Sequence, residues 1–218
     1  MRKDFLILIL AKKNSVRLKN KNCLPIQKKP LITRTIDFAL KVSSKKKIFV
    51  STDDEKIINI CKKKGVICPW KRPHKLSQKN STTYATAIHS IDWYEKNFNK
   101  VNNILLLQPT TPFRSLKDFK EIKKLFFKKN KTVISYTKIR FESMTQKKYF
   151  SYKIKKLKRR ILFKNFLADG SYFLIKKKLL IKSKSFFTKD TIPYLNKKFK
   201  FGIDIDTNYD YKIAARYK

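Results

Sequence analysis

Residues 5–22 read FLILILAKKNSVRLKNKN, a short apolar run followed directly by a cationic loop. A run without polar positions is typical of a central parallel strand that is covered by helices on both faces. In open α/β sheets, ligands bind in the crevice beyond the carboxyl ends of such strands. A loop with four lysines and one arginine at that position suits an anionic ligand such as a polyphosphate. A solvated loop of a lysine-rich protein is the alternative.

Beyond this stretch, apolar runs alternate with helical patterns, which predicts an α/β fold with a mostly parallel sheet and helices on both faces. Strands are predicted at residues 47–51, 66–69, 103–107 and 132–136, and helices from Pro30, after Thr52, from Thr82 and from Leu116. Thr52 or Asp53 is expected to cap the second helix, and metal binding by Asp53 and Asp54 is the less favoured alternative. The length of 218 residues fits a single domain, 1–218.

The net charge of +40 invites a nucleic-acid interpretation, because neutralising phosphates drives such binding. Yet nine of the 55 basic residues are arginine, and the basic residues are spread along the whole chain. Arginine supplies most bidentate base contacts, so neither a nucleic acid nor a membrane is the expected partner. Three scattered cysteines, and the absence of a signal-peptide pattern or a membrane-length apolar stretch, predict a cytoplasmic protein without disulfides.

Four ordered motifs carry more specific information: AKKNSVRLKNKN and KKPLI within residues 11–32, STDD at 51–54, LLQPTTPFR at 106–114, and FGIDIDT at 201–207. Together they resemble the acylneuraminate cytidylyltransferases, the CMP-sialic acid synthetases, over nearly the whole chain. The chain departs from the family pattern at Lys12, where the family has arginine, and at Lys28, where it has glycine. Leu167 and Phe173 replace a further family arginine and a tyrosine, which alters part of the expected sugar site.

The resemblance implies a Rossmann-like nucleotidyltransferase fold and a defined reaction. The enzyme is expected to join CTP to a sialic-acid-like 2-keto sugar acid, which gives a CMP-sugar and pyrophosphate for surface glycan synthesis, with Mg²⁺ as cofactor. The alternatives are a 3-deoxy-octulosonate cytidylyltransferase, whose opening lacks the Lys21–Asn22 pair, and a degenerate paralogue without catalysis. A basic module that binds nucleic acid or an anionic membrane is the alternative from a different class.

The resemblance also implies individual site residues. The nucleotide-binding residues are Lys12, Ser15, Lys21, Asn22, Arg72, Ser81 and Thr83. The substrate-binding residues are Gln108, Arg114, Arg159, Arg160, Phe173, Phe186 and Phe187. The catalytic residues are Lys21 and Asp206, and the metal ligands are Asp204 and Asp206. Two prolines stiffen the turn after residue 107, which is expected to present Gln108 and Arg114 over the crevice. No side chain is assigned as a general base.

The last motif, residues 201–207, is predicted to contain a buried strand. Alternate residues of a strand point to the same side, so Asp204 and Asp206 are expected to project together while Ile205 faces the core. Two carboxylates beside a phosphate site are suitable hard ligands for Mg²⁺. The alternative is that Asp206 only caps a following helix.

Residues 138–165 interrupt the alternation of strands and helices, and part of them alternates like a hairpin. In the family, the corresponding stretch is an excursion that crosses onto a twin subunit and brings cations to the partner's sugar carboxylate. This implies a homodimer in which Arg159 and Arg160 reach the neighbouring site, whereas the plain alternative is a surface hairpin. Phe186 and Phe187 also leave two interpretations open, a contact with the sugar or a pair of core residues.

Overall fold

The computed structural model describes residues 4–13, 15, 17–138, 161–163 and 166–217. The strands are β1 (Leu6–Ala11), β2 (Pro25–Ile26), β3 (Lys29–Pro30), β4 (Ile48–Thr52), β5 (Asn103–Leu107), β6 (Val133–Lys138), β7 (Ile161–Phe163), β8 (Phe166–Lys176) and β9 (Ile192–Leu195). The helices are α1 (Leu31–Val42), α2 (Glu55–Lys64), α3 (His74–Ser77), α4 (Thr83–Asn97), α5 (Leu116–Lys129), α6 (Lys177–Ser183) and α7 (Asn208–Ala215). Short 3₁₀ turns cover Lys21–Cys23, Lys45–Lys47 and Phe199–Gly202.

The main sheet has the strand order β4-β1-β5-β8-β6-β9, and β7 pairs with β8. β1 runs parallel to both β4 and β5, and β6 runs parallel to β9. β8 is antiparallel to its neighbours β5 and β6 and joins the two parallel parts into one sheet. The predicted α/β class is confirmed, and the antiparallel strand in the middle is the main addition.

β1 is apolar throughout because both of its faces are covered. Ile7 and Ile9 point into a core shared with α1, α2 and α5. Leu6 and Leu8 point into a second core, to which α4 and α6 contribute. All four of these side chains are buried, and alternation along the strand sends them to opposite faces. β1 pairs with β4 on one side and with β5 on the other, and these pairings hold the loop that follows it at one edge of the sheet.

Two local predictions around β4 are wrong. Residues 66–69 do not form a strand and make one isolated bridge, Phe49 to Ile67; the next bridge, Thr52 to Lys71, lies beyond them. Pro69 lacks the N–H that would continue the ladder between these bridges. The cap of α2 is Asp54, whose carboxylate accepts from the backbone N of Lys56 over 2.9 Å. Thr52 ends β4 instead, and its hydroxyl oxygen accepts from Asp54 N.

The segment before α7 also differs from the prediction. Residues 203–206 are not assigned to a strand; they follow the 3₁₀ turn Phe199–Gly202. Ile205 donates its backbone N–H to Thr110 O over 2.8 Å, and its side chain is fully buried. The inward direction of Ile205 is thus confirmed, although a strand assignment for this segment is wrong.

The predicted excursion, residues 138–165, lies largely outside the described residues, and so do Arg159 and Arg160. Its two described ends belong to the main sheet, because Lys138 ends β6 and Ile161–Phe163 pairs with β8. In the part of the chain that the structure describes, no helix has both the length and the apolar character that a membrane crossing requires.

Candidate functional site

The loop that follows β1 crosses the carboxyl ends of β1 and β4. The side-chain amide of Asn22 donates to Lys12 O over 2.9 Å, which closes the loop on itself. The backbone N of Lys13 donates to Asp53 Oδ1 over 2.7 Å and ties the loop to the end of β4. Asn22 is buried and acts as a brace, so it shapes the position of Lys12 through the backbone.

Asp206 connects this loop to the C-terminal segment. Its Oδ1 accepts from Lys21 Nζ over 2.8 Å, and its Oδ2 accepts from an Arg17 guanidinium nitrogen over 2.7 Å. Lys21 and Asp206, the two implied catalytic residues, therefore lie in direct contact although they are distant in the chain. Asp206 does not cap α7, because Thr207 does so in a capping box with Asp210.

Asp204 and Asp206 are the carboxylates from which a divalent metal could take ligands. Both side chains offer carboxylate oxygens, the hard ligands that Mg²⁺ prefers, and the buried Ile205 fixes the backbone between them. Within the described residues, however, no group of three or more His, Cys, Asp or Glu side chains could hold a metal ion. By their chemistry the two carboxylates suit a divalent metal, whose remaining ligands would have to come from outside this pair.

Arg114 is the anchor of the turn after β5. Its guanidinium donates to Ser171 O over 3.0 Å, to Thr35 Oγ1 over 3.1 Å and to Gln108 O over 2.6 Å. Burial lowers the pKa of this guanidinium to about 10. The expectation that Arg114 presents its charge over the crevice is wrong, because its donors bind the protein itself. Its role is to hold the backbone of Gln108 in place.

Gln108 follows β5 and packs directly against β8. Its backbone N donates to Gly170 O over 3.3 Å. Gly170 has φ +87°, and a Cβ at that position would lie 2.5 Å from Gln108 Oε1 and 2.9 Å from Thr111 Oγ1. The close approach requires glycine, and it places the Gln108 side chain where β5 ends.

Asp169 is a buried charged residue that the sequence interpretation did not single out. Its carboxylate accepts from Ser135 Oγ (2.7 Å), from Ser171 N (2.8 Å) and from the Asn196 amide (2.6 Å), and its backbone O accepts from Thr111 Oγ1. Burial raises the pKa of this carboxyl to about 6. An acid inside the apolar run of β8 was the signal that could have identified it.

Three residues expected to contact CTP, of which Ser81 and Thr83 are expected near the cytosine, lie between the end of α2 and the first turn of α4. Arg72 is buried and donates to Ser51 Oγ over 2.9 Å and to Ser51 O, and burial lowers its pKa to about 10. Ser81 Oγ is buried and makes no hydrogen bond within the described part of the chain. Thr83 is exposed at the first turn of α4, beside the cap residue Thr82. Arg72 therefore supports the crevice wall through the end of β4. Contact of the Ser81 and Thr83 hydroxyls with the cytosine stays a prediction.

The three phenylalanines expected to contact substrate differ in how deeply they are buried. Phe173 and Phe186 are buried in the same core, with ring centroids 6.1 Å apart. Phe187 also packs edge-on against Phe173, at 5.8 Å, and is only partly buried. Their burial supports the core interpretation for Phe173 and Phe186, whereas a substrate contact by Phe187 stays a prediction.

The sequence matches a known protein family and several of its members. A family model described as cytidylyltransferase matches residues 6–211. The CMP-N,N'-diacetyllegionaminic acid synthase of Legionella pneumophila is 29% identical over 221 residues, which cover 97% of this chain and 94% of that protein. The N-acylneuraminate cytidylyltransferase of Streptococcus agalactiae serotype III is 31% identical over 94% of this chain. The chain spans 51% of that relative, about half of its length.

A solved structure supports the fold. The CMP:2-keto-3-deoxy-manno-octonic acid synthetase, determined in complex with CTP, matches with a TM-score of 0.66 over 96% of both chains. Its sequence identity to this chain is 14%, so the match concerns the fold alone.

Proposed function

This chain belongs to the cytidylyltransferase family, and from that premise we propose that it transfers CMP from CTP to a nonulosonic, sialic-acid-like sugar acid. The hydroxyl on the anomeric carbon of the 2-keto sugar acid attacks the α-phosphorus, and pyrophosphate leaves. The observation that carries the proposal is the contact between Lys21 and Asp206, which brings the cationic loop and the acidic segment to one place. Phosphoryl transfer relies on this combination of charges.

The chain's own residues hold and neutralise the triphosphate. Lys12 and Lys21 supply positive charge, and Ser15 supplies a hydroxyl on the same loop. The brace from Asn22 to Lys12 O keeps the loop in shape before the ligand arrives, which lowers the cost of ordering it on binding. Mg²⁺ bound to Asp204 and Asp206 would supply charge neutralisation and a lower pKa for the attacking hydroxyl.

The remaining assignments concern recognition of the base and the sugar. We assign the cytosine to Ser81 and Thr83, which frame the start of α4, with Arg72 supporting the adjoining wall. Gln108 is assigned to the sugar acid, because Arg114 and Gly170 fix it at the end of β5. No general base is assigned among these side chains.

The sugar carboxylate requires a cation, and Leu167 stands where the family pattern has an arginine. We propose that Arg159 and Arg160 of a twin subunit supply it in a cytoplasmic homodimer. An unpaired carboxylate in a partly dry site is costly, and arginine is its best-fitting partner. Neither a nucleic acid nor a membrane is needed for this function.

The names of the relatives narrow the choice of sugar acid. Their printed names refer to diacetyllegionaminic, N-acylneuraminic and pseudaminic acids. The fold match to an octulosonate enzyme, at 14% identity, does not favour that substrate. A nonulosonic acid is therefore the proposed class.

The direct test is release of pyrophosphate by the purified chain with CTP, Mg²⁺ and one sugar acid at a time. We expect turnover with at least one of N-acetylneuraminate, diacetyllegionaminate and pseudaminate, none with CTP alone, and little with ATP. Mass spectrometry should identify the CMP-sugar. No pyrophosphate with any of these acids, while CTP binds normally, would contradict the proposed reaction and favour a non-catalytic paralogue.

A further inference from the structure

A cavity of about 510 Å³ lies between α1, the turn that follows β5 and the 3₁₀ turn Phe199–Gly202. Among the described residues, none of those assigned above to the triphosphate, the metal, the cytosine or the sugar acid lines it. Pockets for small organic ligands usually measure about 300–1,000 Å³. The cavity is therefore separate from the proposed active site and large enough for an organic ligand.

The cavity carries an excess of positive charge. One acidic side chain lines it, Asp37, which is already held by Lys29 at 3.5 Å and by Lys64 at 2.6 Å. The basic side chains that line it are Lys29, Arg34, Lys41, Arg114 and Lys200. An anionic ligand would be attracted by this set of charges.

Arg114 is the buried cation of the cavity. Three of its five N–H groups donate to Ser171 O, Thr35 Oγ1 and Gln108 O, and none of these acceptors is charged. Asp169 acts on this guanidinium electrostatically, but within the described part of the chain no carboxylate accepts a hydrogen bond from it. A buried cation with donors to spare favours an anion beside it.

Aromatic rings hold three of the cations in place. The pairs, with the distance from the cation to the ring centroid, are Arg34 with Phe113 (5.4 Å), Arg114 with Phe38 (5.9 Å) and Lys200 with Phe201 (5.8 Å). Guanidinium planes and aromatic rings are the surfaces on which nucleic-acid bases stack in proteins. Rings and cations in one cavity thus suit a ligand that has an aromatic body and a phosphate group.

We propose that this cavity is a second, regulatory site that binds an aromatic phosphate of the nucleoside monophosphate class. Regulation rests on the proposed function, whereas the binding site itself does not. Arg114 links the cavity to Gln108, whose backbone O it binds over 2.6 Å. A phosphate that draws Arg114 toward the cavity weakens this contact, which fixes Gln108 beside the proposed sugar site. The ligand therefore acts as an inhibitor that raises the Michaelis constant for the sugar acid.

AMP is the probe, because it has an aromatic base and a phosphate but no cytosine. In calorimetry with the wild-type chain saturated with CTP, and without a sugar acid, AMP should bind to one further site per chain. Inorganic phosphate and adenosine should each bind about tenfold more weakly or less, since each lacks one part of the ligand.

Arg34→Gln combined with Lys200→Gln removes two cations of the cavity and leaves Arg114 in place. AMP should bind this double variant about tenfold more weakly, while the affinity for CTP stays unchanged. Lys41→Gln, at an exposed position of α1, should also weaken AMP binding, and it disturbs no hydrogen bond of Arg34. Lys63→Gln combined with Lys120→Gln is the matched control, because it removes the same charge from exposed positions of α2 and α5.

In turnover assays, AMP should raise the Michaelis constant for the sugar acid several-fold in the wild-type chain and the control, and not in the double variant. Failure of AMP to bind the chain saturated with CTP would overturn the second site. Equal losses of AMP binding in the double variant and the control would mean that the general positive charge binds it. Binding without any effect on the Michaelis constant would overturn the regulatory role. Absence of turnover with every sugar acid would defeat the proposed function, whereas calorimetry would still decide whether the site exists.

Discussion

The backbone of Gly170 lies directly against the side chain of Gln108. A Cβ at position 170 would come within 2.5 Å of Gln108 Oε1, and φ at Gly170 is +87°, where L side chains are strained. One contact thus fixes both the middle of β8 and the amide that is proposed to face the sugar acid.

Gly170→Ala should therefore destabilise the protein and displace Gln108. Gly65→Ala is the matched control, because Gly65 also has positive φ (+66°) but its added Cβ would meet only the flexible Lys45 side chain, at 3.4 Å or more. We expect a loss of about 1 kcal/mol for Gly65→Ala and at least about 3 kcal/mol for Gly170→Ala by urea denaturation. Only Gly170→Ala should raise the Michaelis constant for the sugar acid; equal effects would contradict the contact.

Asp206→Asn should reduce turnover by about a hundredfold or more while the chain stays folded. The amide keeps the shape but no longer offers a charged ligand to a metal. Pyrophosphate release with Mg²⁺ measures the loss, and circular dichroism checks the fold. Asp190→Asn, at an exposed turn, serves as the control. Wild-type turnover in Asp206→Asn would remove this residue from the metal site.

CTP should stabilise the protein against heat more than ATP or GTP does. A ligand that binds only the native state raises stability with the logarithm of its concentration over its dissociation constant. Because Ser81 and Thr83 are assigned to the cytosine, Ser81→Ala combined with Thr83→Ala should reduce the shift with CTP and leave the small shift with inorganic triphosphate unchanged. Equal wild-type shifts with all three nucleotides would indicate a plain polyphosphate site.

Asp169→Asn should change how stability depends on pH. The native carboxyl has a pKa of about 6, above its ordinary value of 3.8, so between these values the native state holds a proton that the unfolded chain releases. This group stabilises the native state at low pH, and the stabilisation is lost as the pH rises through about 6. The free energy of unfolding falls by up to about 3 kcal/mol as a result.

The asparagine variant should therefore be more stable than wild type at pH 8 and equal to it near pH 4. Asn196 Oδ1 makes no hydrogen bond within the described residues, so a flipped Asn196 amide can accept from the new side chain. Urea titrations at both pH values give the comparison, with Asp190→Asn as an exposed control. A variant that is less stable at pH 8 would show that the charged form of Asp169 is required.

The proposed homodimer predicts rescue between two inactive variants. Arg159→Ala combined with Arg160→Ala should raise the Michaelis constant for the sugar acid strongly and that for CTP little. Mixing this variant with Asp206→Asn should restore activity, because some heterodimers hold one intact site. Arg216→Ala is the control for general charge loss. A monomer by sedimentation, or no rescue after demonstrated subunit exchange, would rule out the shared site.

Much of the fold could be predicted from the way apolar runs and helical patterns alternate along the chain. β1 and β5 are apolar on both faces, and their bounds follow from the polar residues on each side. The direction of β8 could not be read in this way, because an apolar run has the same pattern in a parallel or an antiparallel strand. The composition of residues 66–69 favours a strand, whereas the proline at 69 interrupts the pairing between the bridges at Ile67 and Lys71.

In the site, motifs predicted which residues come together but not which way each side chain points. Lys21 and Asp206 meet as their motifs imply. Arg114 belongs to an equally specific motif, yet its guanidinium serves three protein acceptors. Asp169 carries no motif of its own, because its role depends on Ser135 and Asn196 from other strands and loops.

The strand order of the main sheet also has a consequence for folding. Leu6 of β1 pairs with Ile104 of β5, and Leu106 of β5 pairs with Phe173 of β8, so both neighbours of β5 come from distant parts of the chain. Each of these pairings closes a long loop, which costs entropy before any contact is gained. The two sides of the crevice, and the contact between Gln108 and Gly170, therefore depend on non-local pairings, the kind of contact that slows folding.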